Sequence, residues 1–111
     1  MPDFSEICNE KLETRGDRGV RKVDELVREK VGEAVHYNNI VAVEHIDDIV
    51  ANVLGIEDDD ITELAKARVR LVIAHMKERM PPRVRRRAER VVDGDIPSYY
   101  EARRRFNELN Q

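Results

Sequence analysis

The chain reads as an all-α domain, a compact bundle of five or six helices around a central helix at about 61–80. Three observations predict this. Apolar residues recur at three- and four-residue intervals, the period that puts side chains on one helical face. Helix punctuation separates the runs: Gly16, Asn38-Asn39, Gly55, Pro81-Pro82, Gly94 and Ser98. The core residues on offer are aliphatic, with no tryptophan and only three tyrosines and two phenylalanines in 111 residues. Valine is a mediocre helix former, so packing must hold these helices together. The length fits one domain, 1–111, with an acidic half at about 1–64 and an arginine-rich half at about 65–111.

Asp3 and Glu6 have capping-box spacing, and Phe4, Ile7, Cys8 and Leu12 then recur on one stripe up to Gly16. That predicts a short first helix ending at Gly16, followed by a turn at RGDRG. Cys8 lies on the apolar stripe with no local cation to lower its pKa, so it is read as a buried structural thiol. A single cysteine also excludes an intrachain disulfide.

From Val20 to Tyr37 the apolar positions Val23, Leu26, Val27, Val31, Ala34 and Val35 fill about half of a helix circumference. Asn38-Asn39 breaks the pattern. A helix over about 41–54 then buries Val43, Ile46, Ile49, Val50, Val53 and Leu54, with Gly55 placed to end it in the left-handed region. Its other face carries Glu44, His45, Asp47, Asp48 and Asn52, read as a solvated acidic face. His45 and Asp48 share a side of that helix with Glu44, and His36 lies nearby in sequence. The set lacks the four-ligand pattern of zinc, and IEDDD lacks the glycine and final glutamate of a calcium loop, so no metal is expected.

The central helix is led in by Asp58, Asp59 and Asp60 and stopped by two prolines. Ile61, Leu64, Ala65, Val69, Leu71, Val72, Ile73, Met76 and Met80 span roughly 200° of it, which predicts packing on two sides. An arc that wide could need cover from a second copy, so a homo-oligomer, most simply a homodimer, is expected. Glu63, Lys66, Arg70 and Lys77 are placed opposite the arc, facing solvent. Arg68, His75 and Arg79 fall inside it. A buried unpaired arginine costs several kcal/mol, so these three require carboxylates from the acidic half or a route to water. The alternative is a polar groove for an anion or an oligomer contact.

A short helix from Pro82 to about Gly94 and a last helix capped by Ser98, with Glu101 in capping-box register, complete the chain. They carry eight arginines: Arg83, Arg85, Arg86, Arg87, Arg90, Arg103, Arg104 and Arg105. Two helices joined by a glycine-containing turn are loosely like a helix-turn-helix, with Tyr99 near the groove end of the second helix. Charge is divided along the chain. Residues 1–64 hold 7 Lys+Arg against 17 Asp+Glu, a net −10, and residues 65–111 hold 13 against 6, a net +7. Either the halves fold together and neutralise, or the basic half meets an anionic partner.

There is no glycine-rich phosphate loop, nucleophile elbow or spaced cysteine set, so the chain is expected not to be an enzyme and to carry no cofactor. The longest apolar runs, IVAV and LVIA, are too short to span a membrane, and no signal peptide is recognisable, so a cytoplasmic location is expected. The leading expectation is a small helical regulatory or accessory protein that contacts DNA or RNA. Its contacts would be Arg83, Arg85, Arg86, Arg87, Arg90, Arg103, Arg104, Arg105 and Tyr99. The rival is a protein–protein adaptor or inhibitor, of the type found in phages and mobile elements, working through its acidic helices at Glu44, Asp47 and Asp48 or through an apolar helix face.

Overall fold

The computed structural model describes residues 16–110. Among these are α1 (Gly16–Tyr37), β1 (Val41–Ala42), α2 (Val43–Leu54), α3 (Asp59–Arg79), α4 (Pro82–Val91), β2 (Val92–Asp93) and α5 (Tyr99–Leu109). The described residues form an all-helical fold apart from one two-residue ladder. The helix expected over 3–16, with Cys8 and the Asp3–Glu6 box, lies outside the described residues.

Helix α3 is the centre of the packing. Helices α5, α1 and α2 all lean on it. Within its middle three turns Leu64, Ala65, Ala67, Val69, Leu71, Val72, Ile73 and Ala74 are buried. Ala67 and Ala74 widen the buried arc beyond the roughly 200° read from the larger side chains. Helices α1, α2 and α5 therefore supply cover for most of this arc, with Met76 and Met80 left half-buried.

Two cross-helix pairs fix direction. Tyr99 at the start of α5 lies beside His75, with ring centroids 5.5 Å apart. Phe106, further along α5, lies under the Arg68 guanidinium at 5.3 Å. The sequence thus advances along α5 as it recedes along α3, and the two helices are antiparallel. On the other side Asp24 meets Arg68 while Arg28 lines a cleft with His75 and Met76, so α1 runs parallel to α3.

The punctuation acts largely as read. Helix α1 stops where Asn38 takes φ 57°, a left-handed conformation that asparagine tolerates. Helix α2 ends on Gly55 at φ 64°, with the Gly55 N–H donating to Asn52 O and the Ile56 N–H to Ala51 O. This is the paired bonding of a Schellman ending. Ser98 Oγ accepts the Glu101 N–H at 3.2 Å and starts α5.

Four boundaries and faces differ from the sequence reading. Gly16 lies within α1, so residues 16–19 of the expected turn are helical. Val41–Ala42 is a strand, and α2 starts only at Val43. Helix α4 ends at Val91, and Val92–Asp93 pairs in parallel with β1 in the register Val41↔Val92 and Ala42↔Asp93. Arg70 does not face solvent. Helix α2 covers that side of α3, and Arg70 is bound there by Asp47.

The short ladder ties the α1–α2 junction to the α4–α5 junction, and Gly94 makes the tie possible. It sits at φ 141°, and a Cβ placed there would lie 3.1 Å from both Cβ and Cγ2 of Val43. Gly94→Ala is expected to cost about 2 kcal/mol through backbone strain plus this contact. Thermal unfolding checks this, with a fall of roughly 10 °C expected for a domain of this size. An unchanged midpoint would mean that the junction adjusts freely. Among the described residues no helix is long and apolar enough to cross a membrane.

Candidate nucleic-acid interface

Helix α4 begins on Pro82, whose fixed φ suits a first helical position and whose missing N–H is no loss there. Val84, Ala88 and Val91 turn inward, and the last two are buried. Arg83, Arg86, Arg87 and Arg90 recur at i, i+3, i+4 and i+7, all of them exposed. That spacing gathers four guanidiniums into a stripe about 100° wide and about 10 Å long. The stripe is locally unfavourable. It contains four like-charge pairs at i,i+3 or i,i+4 spacing, each costing about 0.2–0.5 kcal/mol. Arg83 also lies in the first turn, where no acidic residue offsets the positive helix end.

The other arginines divide by what they touch. Arg85 points away from the stripe, to the end of α3. Its Nε donates to Lys77 O at 2.9 Å, and its Nη2 donates to Glu78 O at 3.3 Å and Met80 O at 3.2 Å. They belong to the last turn of α3 and the residue that follows it, where Lys77 O takes only the Met80 N–H besides, at 3.2 Å, so Arg85 caps the negative end of α3 and is not available to a ligand. Arg85→Gln is therefore expected to lower stability by about 1–2 kcal/mol in urea unfolding while changing nucleic-acid affinity less than twofold. A large affinity loss with unchanged stability would return Arg85 to the interface. Arg87 belongs to the stripe but reaches Val35 O near the end of α1 with Nη1, at 3.5 Å. Arg104 pairs with Glu108 one turn on, at 3.7 Å. Arg83, Arg86, Arg90, Arg103 and Arg105 make no hydrogen bond or ion pair among the described residues.

The two arginine-bearing helices are not a helix-turn-helix. Helix α4 packs on α1 and α5 packs on α3, and they share no substantial interface with each other. Tyr99 is correspondingly not on a free groove-facing end. It is half-buried against His75 of α3. The exposed ring on α5 is Tyr100, at 72% exposure, one turn before Arg103 and Arg104. The signal was present in the spacing: Tyr99, Ala102, Phe106 and Leu109 share the inward stripe, which leaves Tyr100 outside it.

The acidic candidates separate as well. Asp47 is the one buried charged side chain among the described residues, 8% exposed. Its two oxygens accept Arg70 Nη1 and Nη2, each at 3.1 Å, and Arg70 Nη1 also donates to Lys66 O at 3.0 Å. Asp47 is thus a structural ion-pair partner and cannot meet a protein surface. Glu44 and Asp48 remain exposed. Asp24 binds Arg68 in the same forked way, at 2.9 and 2.8 Å. Two ion pairs thus cross between the acidic and arginine-rich halves, both through arginines of α3 and neither through the arginines of α4 and α5. Among the described residues no three His, Cys, Asp or Glu side chains converge as a metal site would require.

Comparison with protein-family models, with curated proteins and with solved structures finds no match.

Proposed function

We propose that this protein binds nucleic acid through the arginine stripe of α4, as a small accessory or regulatory protein without catalysis of its own. One observation carries the reading. Arg83, Arg86, Arg87 and Arg90 form a single exposed, self-repelling stripe, and no carboxylate among the described residues pairs with it. A stripe of this length matches about four successive phosphates of one strand, spaced about 3.4 Å along the axis of a duplex. Arginine is the side chain suited to them, because its planar fork fits phosphate oxygens. Arg103, with Tyr100 beside it for a base to stack on, extends the contact if the strand reaches α5.

Phosphate contacts fix affinity and not sequence, so the reading predicts strong salt dependence and little base preference. The test is binding to labelled duplex DNA, single-stranded DNA and RNA across a salt series. A log–log slope of about −3.6 on duplex is expected for four arginine contacts. Absence of binding at low salt to all three would overturn the reading and leave the stripe facing an acidic protein surface.

A further inference from the structure

A second cationic feature lies away from α4. Between α1, α3 and α5 a cavity of about 190 Å3 is walled by Arg28, His75 and Tyr99 over Leu71 and Val72. It opens, past Arg28 and His75, into a wider cleft of about 430 Å3 with Arg79, Met76 and Met80 on its sides. We propose that this cleft binds an organic phosphate, with Arg28 and Arg79 on the anionic group and Tyr99, Met76 and Met80 against a flat or apolar body. The site is independent of the α4 stripe and does not rest on nucleic-acid binding.

The charge arrangement carries the argument. Asp24 is the acid at the cleft, and both its oxygens are taken by Arg68. Arg68 is held further by the Phe106 ring beneath it. That pair is closed and neutral, so it cannot offset its neighbours. Arg28 makes no hydrogen bond or ion pair among the described residues. Arg79 has one polar contact there, from Nη1 to His75 Nε2, and at 3.4 Å it is long. An imidazole carries no negative charge, so His75 offers no counter-charge. Two guanidiniums from different helices thus line one concave site with no anion among the described residues to answer them.

The shape and chemistry of the walls narrow the class. A phosphate monoester presents three acceptor oxygens and close to two negative charges, enough to meet forks arriving from two elements. A carboxylate has only two oxygens in one plane. The His75 and Tyr99 rings, tilted 44° to each other, and the half-buried methionines add an adaptable apolar wall. That wall has no use for inorganic phosphate alone. A free small molecule and the phosphorylated end of a nucleic acid present the same group.

The test is an NMR titration of the full chain with phenyl phosphate and, separately, with inorganic phosphate, following the His75 and Tyr99 ring resonances. Phenyl phosphate should shift both rings and bind about tenfold tighter than inorganic phosphate, through the stacking and apolar contacts. Arg28→Gln and Arg79→Gln should each weaken it about tenfold. Both residues are exposed, so these variants should fold, and circular dichroism verifies that they do. A variant with Arg86→Gln and Arg90→Gln should bind phenyl phosphate within twofold of the parent. Unmoved ring resonances at millimolar phenyl phosphate would overturn the proposal, as would insensitivity to both Arg28→Gln and Arg79→Gln. Equal affinity for the two probes would overturn the apolar half of it. Oligonucleotides with and without a 5′-phosphate then separate the sources. A preference for the phosphorylated end that Arg79→Gln removes assigns the site to nucleic-acid ends, and no preference while phenyl phosphate binds assigns it to a free compound.

Discussion

Asp47→Ala lowers the stability of this protein by about 3 kcal/mol, the largest loss expected from any single polar substitution among the described residues. The carboxylate is 8% exposed and holds both terminal nitrogens of Arg70. Removing it leaves a guanidinium only 28% exposed, with a single carbonyl, Lys66 O, in place of three acceptors. Most of the loss comes from that stranded charge and not from the attraction forfeited. Two comparisons isolate the cause. Asp24→Ala should cost somewhat less, about 2 kcal/mol, because the Arg68 side chain, no more exposed than that of Arg70 at 24% against 28%, keeps the Phe106 ring. Asp47→Ala combined with Arg70→Met should recover most of the loss, since an apolar side chain of similar length needs no partner. Urea unfolding with an unchanged m-value reads all three. If Asp47→Ala left the midpoint in place, the α2–α3 ion pair would be incidental and Asp47 would again be free for a partner protein.

That result bears on what a sequence like this one discloses. Helix ends were legible wherever a residue does a specific backbone job: Gly55 at a left-handed φ, Ser98 accepting an amide, Pro81-Pro82 denying the next turn its donors. The two-residue strands were not, because Val41–Ala42 and Val92–Asp93 are too short to show an alternating period and exist only through pairing across the fold. The burial of Asp47 was legible and was overridden by its charge. It stands four residues after Val43, three before Val50 and seven before Leu54, inside the stripe those side chains bury. Val53, read as core, falls outside that stripe and is 43% exposed. Arg85 is the converse case. Counted among eight arginines it looks like part of a basic patch, but helical phase turns it about 140–160° from Arg83, Arg87 and Arg90. The carbonyls it caps belong to another helix and could not be foreseen. Phase within a helix is written in the sequence, and which neighbour meets each face is not.

Phase is also why the α4 stripe can be tested without disturbing the fold. A triple variant, Arg83→Gln, Arg86→Gln and Arg90→Gln, spares Arg87 with its contact to Val35 and Arg85 with its cap on α3. Glutamine has nearly the helix propensity of arginine, so α4 should persist. Three lost phosphate contacts should reduce the salt slope by about 2.7 and weaken binding about 500-fold at 0.1 M salt. The same variant should be more stable than its parent at low salt, by about 1–2 kcal/mol, because the like-charge pairs along α4 are gone, and the gain should shrink as salt screens them. The opposite signs carry the argument. Arginines retained for the fold would cost stability when removed, whereas a stripe retained for an anion repels itself until the anion arrives. A triple variant that binds as its parent does, or that loses stability, would place nucleic-acid binding elsewhere in the chain. The stripe would then be a surface held by contacts with the protein itself.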